Sequence, residues 1–143
     1  MQLTVQHEAV KVLLIDKDDN VLILRKSQND VRHAGKSGHF NLPGGKIHPR
    51  ETVAGAVRRE VLEETGLRIV KFEDNPFFKG VWRPIIKGVT HRIAGIFFVC
   101  KEWEGKMQLD DEHDSFAWVN AGNIHSYDIL PPEDEAISKY FSK

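Results

Sequence analysis

The chain is poor in cysteine, having one, and it lacks any long apolar run. A single cysteine excludes an internal disulfide and a zinc centre of several thiolates. Cys100, which closes the run IFFVC, reads most simply as a small buried apolar residue. The longest apolar run, around Ile96 to Cys100, is about five residues, against the roughly 20 needed to span a bilayer. An excess of either charge is missing as well: 20 Lys+Arg stand against 21 Asp+Glu, for a net charge of -1. Bulk charge therefore gives no reason to expect a nucleic-acid polymer or a membrane surface as partner. The N-terminus, MQLTVQHEAV, has neither a basic start nor an apolar stretch, which argues against a signal peptide and makes a cytoplasmic location the expectation. What is present, 143 residues with 41% hydrophobic and 29% charged content, suits one domain over 1–143 with a single core.

The near-neutral total is not uniform along the chain. From Arg25 to Arg50 it carries Arg25, Lys26, Arg32, Lys36, Lys46 and Arg50 against Asp30 alone, with His33, His39 and His48 among them. From Glu102 to Asp114 the bias reverses, and Glu102, Glu104, Asp110, Asp111, Glu112 and Asp114 face only Lys106. Solvated loops with accidental charge explain either segment alone. A site for anionic phosphates and their neutralising cations explains both.

Two runs rich in Val, Ile and Leu, 8–15 and 21–25, are separated by Asp16-Lys17-Asp18-Asp19-Asn20, a pattern that predicts a hairpin. Residues 26–41 read as a long functional loop, and Leu42-Pro43-Gly44-Gly45 as a tight turn. A helix is predicted over 52–65, stopped by Gly66. Extended segments follow at 67–72, 77–82, 92–101 and 115–119, with a turn at Trp103-Glu104-Gly105-Lys106. Asn120 would cap a short helix over 121–127. Pro131-Pro132 would open a last helix with Glu133, Asp134 and Glu135 in its first turn and Lys139 near its end, as the helix dipole favours. Strands outnumber helices, so an α/β arrangement with a mixed sheet and helices on its faces is expected.

The 52–65 helix carries Glu60, Glu63 and Glu64 within a roughly 100° arc. Val53, Ala56 and Val57 project into the same sector, so the acids continue the apolar stripe instead of opposing it. Glu60 and Glu64 form a like-charge i,i+4 pair, unfavourable by about 0.2–0.5 kcal/mol. Glu63 and Glu64 also meet the negative end of the helix dipole, at about 0.3–1 kcal/mol each. Arg59 offsets part of this from i to i+4, but one cation does not balance three acids. A divalent cation would. All-oxygen ligands select Mg2+ or Mn2+ over zinc, with Ca2+ open on ligand type alone. An exposed acidic helix end is the alternative.

These residues also fall in a known pattern. Gly45, five residues, Glu51, seven residues and Arg59-Glu60-Val61-Leu62-Glu63-Glu64-Thr65-Gly66-Leu67 resemble the Nudix box, over 45–67. The resemblance extends more loosely to an N-terminal strand pair, LPGG before the box, and Glu112, His113 and Trp118 after it. It implies the Nudix fold, an α/β/α sandwich around a mixed β-sheet, and hydrolysis of a nucleoside diphosphate linked to another group. It also implies that Glu60, Glu63, Glu64 and the Gly45 carbonyl bind the metal, Mg2+ with Mn2+ as substitute. Arg59 would orient the glutamates, and Glu51, Gly44 and Gly66 would support the loop–helix geometry. A carboxylate must take the proton of the attacking water; Glu60, Glu63 and, in the acidic late loop, Glu112 are the candidates.

Substrate contacts are less marked. Arg25, at the end of the second run, and Arg83 or Arg92 are candidates for a phosphate. Phe77, Phe78 and Trp82 would stack on a base or fill the core. The chain resembles the MutT-like branch, which implies a nucleoside triphosphate, oxidised ones included, converted to monophosphate and pyrophosphate. In that branch a polar side chain near the C-terminus meets a purine edge, and Asp134 stands there, with helix capping as its other reading. An ADP-ribose or nucleotide-sugar pyrophosphatase is the second reading of the reaction, and a non-catalytic nucleotide sensor the third. The partner is a small nucleotide, and the chain a monomer or homodimer.

Overall fold

The computed structural model describes residues 4–27 and 38–142. Arg32, His33 and Lys36 of the basic segment, and most of the 26–41 loop, lie outside the described residues.

The two apolar runs become strands β1 (Thr4–Leu14) and β2 (Val21–Lys26), but they do not form the expected hairpin. β1 lies between β4 (Gly44–Lys46), antiparallel, and β8 (Val89–Cys100), parallel along its whole length. β2 lies in another sheet, between β10 (His113–Val119) and β3 (Phe40–Asn41), both antiparallel. Among the described residues a lone bridge, Ile15 to Val21, is the ladder contact between the two runs. Below it the Asp16 carboxylate accepts from the N–H groups of Asp18 (3.0 Å) and Asn20 (2.8 Å). The reason is burial. Val12, Leu13 and Leu14, like Val21 to Leu24, have no exposed surface on either side. A strand covered on both faces reads as an unbroken apolar run, without the alternation that would mark a half-exposed hairpin.

β6 (Phe78–Trp82) pairs antiparallel with β8 and makes the larger sheet mixed, while β7 (Ile85–Ile86) folds onto the start of β8. β5 (Arg68–Lys71) pairs with β9 (Glu102–Glu104), so Trp103 and Glu104 belong to a strand and the bend falls at Gly105. Packing holds Trp103 there: its ring stacks on Trp118 at 5.5 Å and its indole N–H donates to the Ile15 carbonyl at 3.0 Å. Leu42-Pro43-Gly44-Gly45 is likewise no tight turn. It carries the chain from β3 in one sheet to β4 in the other, and the Pro43 carbonyl accepts from the Val12 N–H at 2.9 Å.

Helix α1 (Val53–Thr65) is capped by Thr52, whose hydroxyl accepts from the Gly55 N–H at 2.9 Å. It ends at Gly66, in the left-handed region at φ 74°, with a Cβ there only 2.9 Å from the Lys106 carbonyl. Gly66→Ala should therefore lower stability by about 1–2 kcal/mol. A urea unfolding midpoint equal to that of the parent chain would show that this cap carries no strain. Helix α2 (Glu133–Phe141) starts after the two prolines, with its three acids first and Lys139 in its last turn, as expected. The helix predicted over 121–127 contracts to a 3-10 helix at Ile124–Ser126, because the Asn120 side chain closes the preceding turn by accepting from Gly122 and Asn123.

The two faces of β1 place the helices. Val10, Val12 and Leu14 pack with Ala56, Val57 and Val61 of α1. Leu13 and Ile15 pack with Ala136, Ile137 and Tyr140 of α2. The sheets thus lie between helices, an α/β/α sandwich. Cys100 is buried as expected, and burial pushes its thiol up to about 11, which makes it inert at neutral pH. Among the described residues no helix is long and apolar enough to cross a membrane.

Candidate active site

The acids of α1 do not share one environment. Glu60 and Glu64 are 8% and 7% exposed, whereas the Glu63 side chain is 57% exposed. At about 100° per residue, Ala56, Val57, Glu60, Val61 and Glu64 fall in the buried sector and Glu63 lies just beyond its edge. Val53, expected in the apolar stripe, is exposed in the first turn. The stripe is therefore continued by two carboxylates, not three.

Arg59 joins them. Its guanidinium donates to both Glu51 oxygens (2.6 and 2.9 Å), to Glu60 (2.9 Å), to Glu63 (3.3 Å) and to the Lys46 carbonyl (3.1 Å). Glu51 in turn accepts from the His48 N–H at 3.0 Å. The Arg59 hydrogen bonds hold the Glu51 carboxyl at about 2, and Glu51 holds the Arg59 charge more firmly than usual. One cation so ties helix, loop and β4 together.

Glu64 accepts the Gly44 N–H at 2.7 Å. Gly45 passes so close to Glu60 that a Cβ would lie 2.6 Å from its carboxylate oxygen, so only glycine lets the backbone approach here. Burial pushes Glu60 upward despite Arg59, and pushes Glu64 to about 8 despite Lys11 and the Gly44 N–H. Without a cation, native Glu64 holds a proton that the unfolded chain has released, so metal-free stability should slope downward between about pH 4.5 and about pH 8. Urea unfolding in a chelator should show this slope, and Glu64→Gln should flatten it. An equal slope in the variant would assign it to another group.

Glu60 and Glu64 open onto a cleft of 710 Å³ whose walls also hold Lys11, Lys26, Glu112 and Glu133. Glu112 is brought into the cleft, 3.8 Å from Lys26. The Lys11 ammonium, on the floor, donates to the Leu42 carbonyl at 3.1 Å and lies 3.6 Å from Glu133, which accepts the Leu42 N–H at 2.6 Å. Behind the wall His113 hydrogen-bonds Asp110 at 2.7 Å, and burial holds its imidazole below the usual range.

Several expected contacts lie elsewhere. Arg25 is adjacent to Lys26 in β2 and does not line the cleft; its guanidinium donates to Asp114 at 2.7 Å. Arg92 neighbours Ile93 of the cleft wall but reaches Gln6 (3.4 Å), while Arg83 does line the cleft. Asp134 is not on the wall either, and accepts from the Glu135 N–H at 2.7 Å. Trp82 lines the cleft and stacks on Phe97; Phe77 and Phe78 pack against the α2-side core. Lys11 and Glu133 escaped sequence reasoning. Their signals were a lone cation inside EAVKVLLI, and an acid whose helix-dipole role already explained it.

A box glycine on a box glutamate, an arginine-tied loop and helices on both sides of mixed sheets define a class of hydrolase. The NUDIX domain model matches residues 5–141, and the chain belongs to the Nudix hydrolase family. It is 31% identical over 121 residues to YvcI, an uncharacterised Nudix hydrolase of Bacillus subtilis, covering 82% of this chain and 69% of that one. It is 30% identical to an ADP-ribose pyrophosphatase of Methanocaldococcus jannaschii (82% and 65% covered) and 24% identical to an 8-oxo-dGTP diphosphatase of Buchnera aphidicola (81% and 85% covered). Among solved structures it resembles the MutT protein of Methanosarcina mazei Go1, with a TM-score of 0.79 at 25% identity, 98% of this chain and 96% of that one being covered.

Proposed function

We propose that the chain is a Mg2+-dependent pyrophosphohydrolase of a small nucleotide, and that a nucleoside triphosphate, oxidised ones included, is its substrate, cut to monophosphate and pyrophosphate. The observation that carries this is the burial of Glu60 and Glu64 against Gly44 and Gly45 at the wall of a cleft that also holds Lys11 and Lys26. The donor set fits a hard divalent ion: carboxylate and carbonyl oxygens, with Glu60 and Glu64 too deeply buried for their charge to be balanced by Arg59 alone. Glu60, Glu63, Glu64 and the Gly45 carbonyl would hold it, with Mn2+ as substitute. When bound, such an ion offsets phosphate charge and lowers the pKa of water.

The residues of the chain supply the rest. Arg59 orients Glu60 and Glu63 through its hydrogen bonds, and Glu51 fixes Arg59. Lys11, Lys26 and Arg83 place positive charge along the cleft for the phosphates. Glu60, Glu63 and Glu112 are the carboxylates assigned to accept the proton of the attacking water. Trp82 offers a ring face to the base.

The 8-oxo-dGTP diphosphatase relative supports the triphosphate reading. The ADP-ribose pyrophosphatase relative supports a second reading, ADP-ribose cut to two monophosphates. A panel of nucleoside triphosphates, 8-oxo-dGTP and ADP-ribose with Mg2+ separates them. Pyrophosphate release is the expected result; AMP from ADP-ribose alone would favour the second, and no turnover on any member would overturn both.

A further inference from the structure

His113 opens β10 with its side chain 1% exposed. Its Nδ1 is 2.7 Å from the Asp110 carboxylate, while its Nε2 is buried and has no hydrogen-bond partner among the described residues. Buried polar atoms without a partner are rare, and each calls for an account. With Asp110 accepting the Nδ1 proton, Nε2 presents a lone pair, the arrangement by which a carboxylate orients a metal-binding histidine. The side chain of Glu64 completes the group: one ligand atom each from Glu64, Asp110 and His113 lie within 4.8 Å of one another. Glu64 lines the cleft and so gives an ion a way in.

We propose that Glu64 and the Nε2 of His113 hold a second divalent cation, with Asp110 orienting the imidazole from Nδ1, a site distinct in chemistry from the all-oxygen cluster of the box. An imidazole nitrogen beside a carboxylate suits a borderline transition ion such as Zn2+, and suits Mg2+ poorly. Glu64 is shared, which makes it the link between the two sites. The proposal needs neither a nucleotide nor hydrolysis, and so it stands or falls apart from the proposed reaction.

The test uses the whole chain with 15N-labelled histidine rings, titrated with Zn2+ in excess Mg2+ and without nucleotide. The His113 Nε2 resonance should shift to its metal-bound position at one equivalent while Nδ1 keeps its proton. Calorimetry should show that equivalent lost in His113→Gln, weakened roughly 10- to 100-fold in Asp110→Asn, and kept in Glu63→Gln. His113 resonances unmoved at saturating Zn2+ would overturn the site. So would Zn2+ carried only by the His7–His91 pair, whose ring nitrogens are 2.9 Å apart, or His113→Gln binding with unchanged stoichiometry and affinity.

Discussion

Glu60→Gln is expected to lower Mg2+-dependent turnover by about 10²- to 10⁴-fold and to leave the urea unfolding midpoint unchanged or higher. Both parts come from the same environment. Glu60 is 8% exposed, packs on Gly45 and is pushed upward by burial, so keeping it charged costs the metal-free fold, while the proposed reaction requires that charge. The amide has the same shape, still accepts from Arg59 and costs less to bury. Its loss is in oxygen donor strength and in capacity to take a proton. Steady-state kinetics with and without Mg2+, on the best substrate of the panel, checks the first part. Full turnover in the variant would remove Glu60 from the site. A collapse in stability would instead show that the carboxylate is a structural partner of Arg59.

Lys11→Met should destabilise the fold by about 3 kcal/mol, the cost of leaving a buried carboxylate without its cation. Lys11 and Glu133 side chains are 13% and 8% exposed, and together they clamp the Leu42 backbone. That clamp holds the segment leading to Gly44, whose N–H in turn holds Glu64. Adding Glu133→Gln removes the uncompensated charge while keeping an acceptor for the Leu42 N–H, so the double variant should regain part of the loss. Urea unfolding of the two single variants and the double one measures the coupling. A Lys11→Met midpoint within about 0.5 kcal/mol of the parent would mean that solvent already screens the pair.

The helix of the box was legible because every one of its signals is local. Gly66 ends it, Glu63 and Glu64 oppose its dipole, and Glu60 repels Glu64 across one turn, a charge that Arg59 offsets only in part. The last helix was legible for the same reason. The strand partners were not. β1 from Val12 to Leu14 and β2 from Val21 to Leu24 are buried on both faces, so these runs carry no alternation, and the strands' neighbours come from residues as distant as 89–100 and 113–119. A plausible turn at Asp16 to Asn20 did form, yet it joins two sheets instead of two strands of one.

The same limit governs the candidate site. Spacing along the chain established the box and grouped its carboxylates on one side of the helix, since helix periodicity follows from the backbone alone. Three choices between neighbours were left to the packed molecule. Lys26 lines the cleft and Arg25 does not, because adjacent side chains on a strand point to opposite faces. Glu133 lines it and Asp134 does not, because one residue turns about 100° around α2. Glu60 and Glu64 are buried and Glu63 is exposed, because the sheet covers an arc of α1 that ends between them. A chain can state its periods by itself, but the phase of each period against the cleft is set only when distant strands and helices pack.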